Sequence, residues 1–262
     1  MQHRFDASPA EVAALAARLQ PAIDRARDFS AWDFRSIETS NAGAPLPWDY
    51  EALARKHARS AHRVLDLGTG GGEVLSRVAE GQKAAFVATE EWHVNAPVAR
   101  DRLRPIGIPV VRAKSDAGAL PFRDGAFDLV LSRHEGVDPA DVDRVLAHGG
   151  VFLTQQVMPE NLPELTRFFP RRRVFPDHFA GYKTAFARLG YAVTRRQHNL
   201  RTAYASLGDL VSTLLACAWE IPDINVERDA GALLAVEREL STPEGIVLTE
   251  GRYLLEAQKP GT

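Results

Sequence analysis

The sequence contains a single cysteine, Cys217, and lacks the H-E-x-x-H and paired-carboxylate patterns typical of metal sites. One cysteine excludes an intramolecular disulfide and a cysteine-rich metal centre, and it suits a reducing compartment. No apolar run approaches the roughly 20 residues that a membrane-spanning helix needs. The first residues also lack the charged-then-apolar order of a signal peptide. We therefore expect a cytoplasmic protein without a metal or a membrane span.

The chain also has little net charge. Its formal charge of −2 over 262 residues provides no global attraction to nucleic acid. Two basic clusters, Arg171–Arg173 and Arg195-Arg196, are typical of a solvated loop and a solvated strand edge. With 45% hydrophobic and 25% charged residues, the composition is that of an ordinary globular protein with a sizeable core. This length fits one α/β domain with additions.

Strand and helix patterns alternate from residue 63 onwards. Such alternation predicts a doubly wound, mostly parallel sheet of seven strands, with ligands beyond the carboxyl ends of the strands. We expect one domain over residues 1–262, divided into helices and a flap (1–60), a core (61–160) and a C-terminal half (161–262) with a helical insertion at about 201–244. The predicted strands cover residues 63–67, 85–89, 109–113, 127–132, 150–156, 191–198 and 245–257. The predicted helices include residues 72–80, 94–103, 140–147, 208–219 and 225–240.

The stretch "VLDLGTGGGEVL", residues 64–75, holds four glycines directly after an apolar run. A dinucleotide fingerprint, G-x-G-x-x-G, counted from Gly68 requires glycine at residue 73, which is Glu73. A carboxylate at the start of a helix would repel a pyrophosphate, which binds at the same place. A P-loop is excluded as well, because no Gly-Lys-Ser/Thr follows. The loop therefore does not match the common phosphate-binding patterns.

The arrangement D-x-G-x-G-x-G, formed by Asp66, Gly68, Gly70 and Gly72, resembles the first motif of the class I S-adenosylmethionine (SAM) methyltransferases. The resemblance implies a Rossmann-like fold and a SAM site that includes these four residues and Thr69. It is consistent with the ligand's chemistry, because SAM carries an ammonium and a sulfonium that a carboxylate such as Asp66 can attract. Glycine backbone lets the ligand approach closely.

A second carboxylate signal follows the next predicted strand, in "FVATEEW". Glu90 stands about 20 residues beyond the glycines, where a carboxylate can accept hydrogen bonds from both hydroxyls of a ribose. Glu91 is the alternative, and we favour Glu90. NAD enzymes also bind ribose through such a carboxylate. Glu90 therefore indicates a nucleoside ligand but does not distinguish a methyltransferase from an NAD enzyme.

The third element is "KSDAGALPFRDGAFDLVLSRHE", residues 114–135. In the methyltransferase family, an Asp after the third strand faces the adenine amino group and is followed by L-P-F, an acidic turn and F-D-L-V. Asp116 and Ala117 occupy the matching places. The three motifs follow in the family's order, and the resemblance is strongest over residues 63–157.

In the family, the active-site residues follow the fourth strand. Here the residues at that place are Arg133, His134 and Glu135. His134 is the leading candidate for a general base, because imidazole can accept a proton at neutral pH. Glu135 is expected either to orient that ring or to bind a cationic acceptor. Arg133 is a candidate for both the catalytic and the cofactor site. Of Gln155 and Gln156, at most one should face the pocket, because neighbouring strand residues point to opposite faces.

The tail "EGRYLLEAQKP" resembles the closing strand of a bacterial methyltransferase group that shares "GTGGGE", "RHE" after strand four and "QQV" after strand five. The resemblance implies methyl transfer from SAM to a small molecule, with S-adenosylhomocysteine (SAH) as product. It leaves the acceptor and the oligomeric state open. The alternatives are an RNA or ribosomal RNA methyltransferase, a non-catalytic SAM-binding protein and, disfavoured by Glu73, a nicotinamide oxidoreductase.

Overall fold

A computed structural model describes residues 5–118, 120–173 and 177–261. Eight α-helices lie in these ranges: α1 (Pro9–Arg27), α2 (Tyr50–Ala58), α3 (Glu73–Ala79), α4 (Asn95–Leu103), α5 (Pro139–Val145), α6 (His178–Arg188), α7 (Leu207–Ala216) and α8 (Ala230–Leu240). Nine strands lie in the same ranges: β1 (Thr39–Asn41), β2 (Arg63–Leu67), β3 (Ala85–Thr89), β4 (Val110–Val111), β5 (Phe127–Arg133), β6 (Leu146–Val157), β7 (Ala192–Tyr204), β8 (Ser241–Thr242) and β9 (Gly245–Gln258).

The strands form one sheet in the order β1-β7-β9-β6-β5-β2-β3-β4, with β8 paired to β9. The pairs from β4 to β6 are parallel, and β9 runs antiparallel to both β6 and β7. Without the short β1 and β8, this is a seven-stranded sheet in which β9 alone is reversed. The predicted doubly wound, mostly parallel fold is therefore confirmed. The carboxyl ends of β2, β3, β4 and β5 meet at one edge, which is where such sheets bind ligands.

Several predicted element bounds differ from the observed ones. The predicted strand 191–198 continues to Tyr204, because β7 pairs with β9 over thirteen positions. The predicted helix 140–147 ends at Val145, where the chain enters β6. The predicted helix 225–240 begins only at Ala230, after a turn in which the Asn225 N–H donates to Asp229. The spacing of hydrophobic residues along the chain does not reveal contacts of this kind.

Three hydrophobic clusters support the sheet and its additions. Two of them cover its faces: one around Leu65, Val130 and Phe152, and one around Val64, Leu75 and Leu131. Alternate residues of a strand point to opposite faces, so β2 contributes Val64 to one cluster and Leu65 to the other. The third cluster joins α1, α7 and α8 to the outer strands. In the described ranges, no helix combines the length and apolar character that crossing a membrane requires.

The N-terminal helix α1 begins with a capping box. The Ser8 side chain accepts the Glu11 backbone N–H, and the Glu11 carboxylate in turn accepts the Ser8 N–H at 2.8 Å. This capping box satisfies backbone donors that the first helical turn leaves unpaired. The helix then buries Leu15 and Leu19 against α7 and α8, which connects the N-terminal segment to the helices before β9.

Candidate active site

The glycine loop lies between β2 and α3 in a conformation that favours glycine. Gly68 and Gly70 both have φ of +64°, in the left-handed region. The Gly68 N–H donates to the Thr89 hydroxyl at 3.2 Å, and the Gly70 N–H donates to a Glu90 carboxylate oxygen at 2.7 Å. The loop is thus held by residues at the end of the neighbouring strand β3.

The bare faces of these two glycines are in close contact with side chains from elsewhere in the chain. A Cβ atom added to Gly68 would lie 2.4 Å from Cγ of Glu135, and one added to Gly70 would lie 3.0 Å from the Trp32 ring. Neither of two other cavities, of about 420 and 800 Å³, is lined by these glycines. The loop therefore forms a cradle that only glycine fits, and Glu135 and Trp32 lie against it.

Asp66 is the last residue but one of β2, next to the cradle, and is 9% exposed. Burial raises the pKa of its carboxyl to about 7; the nearby Thr69 hydroxyl and Arg133 oppose this shift, while the charge of Glu90 adds to it. Among the described residues, the buried Thr69 hydroxyl oxygen has no partner in good hydrogen-bond geometry. A cation placed here would favour the ionised carboxylate, and a polar ligand would satisfy the hydroxyl.

Glu90 and Glu91 are placed very differently. Glu90 is 4% exposed, and its two carboxylate oxygens accept the N–H groups of Gly70 and Trp92 at 2.7 and 2.9 Å. Burial raises the pKa of the Glu90 carboxyl, and these two hydrogen bonds oppose the shift. Glu91 is exposed. A carboxylate has about four lone-pair positions, so Glu90 can still accept hydrogen bonds from a ligand.

Asp116 and Ala117 lie exposed on the loop after β4. The Asp116 carboxylate forms an ion pair with Lys114 at 3.3 Å and faces Gly136 of the loop after β5. The charges of Asp116 and Glu90 both act on Glu135. The structure thus brings four predicted carboxylates together: Asp66, Glu90, Asp116 and Glu135. We call this group the acidic side of the site.

The loop after β5 is fixed by the neighbouring strand β6. His134 has φ of +62°, and its backbone N–H donates to the Gln155 carbonyl at 2.9 Å. The Glu135 carbonyl accepts hydrogen bonds from the Ser132 hydroxyl and the Gln156 side chain, at 2.9 and 2.6 Å. Gln156 therefore positions the loop that carries the candidate catalytic residues.

Gln155 makes a different contact, since its side-chain carbonyl accepts the Trp48 indole N–H at 2.8 Å. Both partners are buried, with Gln155 4% and Trp48 7% exposed. This hydrogen bond anchors the segment before α2 to β6.

His134 is exposed to solvent, yet protein atoms surround its ring closely enough to disfavour the charged form. Its pKa lies well below the usual range, because burial disfavours the charged ring and the Arg133 and Arg252 guanidiniums add positive charge nearby. We call Arg133, His134 and Arg252 the basic side of the site. At neutral pH the imidazole is uncharged, so one ring nitrogen can accept a proton.

An aromatic cluster, which the sequence did not predict, covers the cradle. Trp32 lies 5.4 Å from both Trp92 and Trp219, measured between ring centroids, and 5.7 Å from Phe29. Trp32 and Trp219 remain 38% and 43% exposed. These rings come from the N-terminal segment, the turn after β3 and the loop after α7. No local pattern connects three segments so far apart in the chain.

Glu73 begins α3 as the sequence indicated, and its carboxylate forms an ion pair with Arg102 of α4. The same guanidinium donates to the Gly71 carbonyl. The helix start is thus already occupied by a negative side chain, which stabilises the positive end of the helix.

Comparison with known proteins agrees with this geometry. Residues 64–153 match the family profile described as a methyltransferase domain. This central part of the chain resembles methyltransferase domains. The matched range contains the glycine loop, Glu90, Asp116 and the loop after β5, so the family resemblance read from the motifs is confirmed.

Similar proteins support the same assignment. The methyltransferase domain is similar to a ubiquinone/menaquinone biosynthesis C-methyltransferase from Burkholderia multivorans, with 32% identity over 42% of this chain and 49% of the relative. It is also similar to a demethylmenaquinone methyltransferase from Thermus thermophilus, with 33% identity over 45% of this chain and 57% of the relative. The chain thus spans about half the length of the curated relatives it matches.

The fold extends beyond the matched segment. A crystal structure of the YcgJ protein from Bacillus subtilis superposes with a TM-score of 0.60 at 19% identity, covering 81% of this chain and 99% of that chain. At this identity the likeness concerns the fold alone.

Proposed function

We propose that this protein is a SAM-dependent methyltransferase that methylates a small-molecule acceptor and releases SAH. The observation that carries the proposal is the placement of Glu90, a buried carboxylate bonded to the N–H of Gly70 at the edge of the cradle. A fold alone does not determine a reaction. The methyltransferase domain and the names of the quinone-biosynthesis relatives support this reaction class and a small acceptor.

The residues present fit SAM. Asp66 would bind the ammonium of the amino-acid end, Glu90 would accept hydrogen bonds from the ribose hydroxyls, and Asp116 would accept one from the adenine amino group. A ligand placed against the glycine backbone would contact Glu135 and Trp32, which lie on the bare faces of Gly68 and Gly70. When bound, SAM supplies a methyl group that is activated by its positively charged sulfur.

The acceptor would lie on the basic side. His134 is uncharged at neutral pH, so it can remove a proton from an acidic O–H, N–H or C–H group of the acceptor. Arg133 would stabilise the negative charge that this proton transfer leaves, whereas Arg252 is already paired with Glu250 at 2.5 Å. The loop that carries His134 is held by β6, which keeps the base aligned with the methyl group.

Ion pairs within the basic cluster Arg171–Arg173 argue against an RNA methyltransferase. Arg171 forms an ion pair with Asp229 at 2.5 Å, and Arg172 is buried beside Glu220 at 3.3 Å. Carboxylates thus neutralise two of the arginines that a phosphate-binding face would use. We also propose a cytoplasmic location, because a chain with a single cysteine suits a reducing compartment.

The decisive experiment is calorimetric titration of the wild type, Glu90→Gln and Glu91→Gln with SAM and SAH, combined with an assay of methyl transfer from labelled SAM to metabolite extracts. Glu90→Gln should weaken SAM binding about tenfold or more, because a buried charge-assisted hydrogen bond is lost. Glu91→Gln removes an exposed neighbouring carboxylate and should change binding less than about threefold. Binding without transfer to any extract would favour the non-catalytic alternative, and no binding at all would refute the proposal.

A further inference from the structure

Glu135 occupies a position that the methyl-transfer proposal does not yet explain. Its Cβ, Cγ and Cδ atoms lie 2.4 to 2.7 Å from where a Cβ of Gly68 would be, so its side chain covers the bare face of the cradle. Its backbone cannot easily move away, because the Ser132 hydroxyl and the Gln156 amide both donate to its carbonyl. The Glu135 side chain is therefore kept against the glycine loop, where a ligand bound on that loop would meet it.

The surroundings of this carboxyl are mainly acidic. Glu90 and Glu91 follow β3, and Asp116 follows β4; their charges all act on Glu135. Burial is the main cause that raises the pKa of Glu135 to about 8, the three carboxylates add to the shift, and a hydrogen bond with Ser115 opposes it. The other charged or titratable groups that face this region are Asp66, Lys114, Arg133, His134 and Tyr182.

Glu135 also differs from Glu90 in how its oxygens are held. Both oxygens of Glu90 accept backbone N–H groups, which favour the ionised form. For Glu135, a hydrogen bond with Ser115 favours the ionised form. Of the two, Glu135 is thus the carboxyl whose charge a ligand can change most.

Resting on the function proposed above, we propose that Glu135 distinguishes the positively charged cofactor from its neutral product. Its carboxyl loses a proton to solvent when the sulfonium binds, and it takes one up again after the methyl group has left and the sulfur has become a neutral thioether. The proton that the acceptor loses during transfer goes to His134, so the overall reaction releases one proton. A neutral Glu135 no longer attracts the ligand, which favours release of SAH.

The sign of the effect follows from linkage. A carboxyl that is neutral in the free protein and ionised in the complex makes SAM binding stronger as pH rises, up to the pKa of the free carboxyl. A unit charge about 5 Å away shifts a pKa by at least one unit at an effective dielectric constant near 20. SAH carries the same amino-acid end without the sulfonium, so the ratio of the two dissociation constants isolates the charge on sulfur.

The test is calorimetric titration with SAM and with SAH at pH 6.5, 7.5 and 8.5, on the wild type, Glu135→Gln and Glu91→Gln. In the wild type, the ratio of the SAH to the SAM dissociation constant should rise about tenfold over this range. In Glu135→Gln the ratio should stay constant within about twofold. Glu91→Gln removes a charge from the same region but not the side chain on Gly68, so it should keep the rise.

A second measurement counts protons directly. Titration at pH 7.5 in two buffers of different ionisation enthalpy should reveal proton release on SAM binding to the wild type that is larger than on SAH binding. Glu135→Gln should release the same number of protons with both ligands. A wild-type ratio that does not change with pH, or a variant that keeps the wild-type rise, would overturn this inference while SAM binding still supports the proposed function. Absence of binding by both ligands at every pH would instead contradict the function itself.

Discussion

On the acidic side of the site, Asp66, Glu90 and Glu135 share a partly buried space, and the pKa of each carboxyl is raised. On the basic side, His134 lies near Arg133 and Arg252, and its pKa is lowered. On both sides, groups of like charge lie together at a cost in solvation and repulsion, which the ion pairs of Asp116 with Lys114 and of Arg252 with Glu250 reduce in part. That cost is reduced when a ligand supplies the missing charge. A cation fits the first side, and an acceptor that becomes negative fits the second.

The comparison predicts that blocking the cradle affects the acidic side most strongly. Gly68→Ala places a methyl group on Glu135 and should weaken SAM binding by at least about a hundredfold, as measured by calorimetry. Gly107→Ala is the matched control, because Gly107 also has positive φ, at +77°, but nothing lies within 4 Å of an added Cβ. Gly107→Ala should lose about 1 kcal/mol of stability from backbone strain, and Gly68→Ala should lose more, because its methyl group also displaces Glu135. Equal SAM affinities for the two variants would contradict the assignment of the cradle.

The next largest effect is expected on the basic side. His134→Asn keeps a residue that tolerates the left-handed backbone, and it should lower kcat by about a hundredfold or more, because the base is lost. SAM affinity should remain within about threefold of the wild type, since the acidic side is unchanged. His148→Asn, at an exposed histidine, serves as the control. If kcat is unchanged in His134→Asn, His134 is not the base, and the contrast between the acidic and the basic side is weakened.

The smallest effect concerns Asp66. Its substitution should stabilise the fold, although it should weaken SAM binding. Because the folded-state pKa of Asp66 is about 7, above its usual 3.8, the folded protein holds a proton that the unfolded chain has lost. Stability should therefore fall as pH rises from about 4 to 7. Asp66→Asn mimics the neutral acid and should raise the free energy of unfolding at pH 8 by about 1–3 kcal/mol, with a weaker binding of SAM.

Thermal unfolding at pH 5 and pH 8 measures this effect. The two proteins should have similar Tm at pH 5, and Asp66→Asn should unfold a few degrees higher at pH 8. Asp101→Asn, at an exposed aspartate, should leave Tm nearly unchanged at both pH values. A wild type that becomes more stable from pH 5 to pH 8 relative to Asp66→Asn would show that Asp66 is not a strained carboxyl.

Sequence reasoning located the elements of the core well, because the signals there are local. β2 and β3 have the bounds that the apolar runs predicted, and the glycines mark the turn that follows β2. The end of β7 was missed, because its last residues are held in place by pairing with β9 rather than by a pattern of their own. The roles of the individual site residues stay predictions until binding and turnover are measured.

The amino-acid sequence by itself predicted the fold and indicated the reaction class that we propose. A bare glycine loop, carboxylates at successive strand ends and the order of three motifs are properties of short segments. The tertiary structure alone decided that Glu135 lies on Gly68, that Trp32, Trp92 and Trp219 meet above the cradle, and that Arg252 lies near His134. The physical reason is that pKa values and contacts depend on how close groups lie in space. The separation of two residues along the chain does not give that distance.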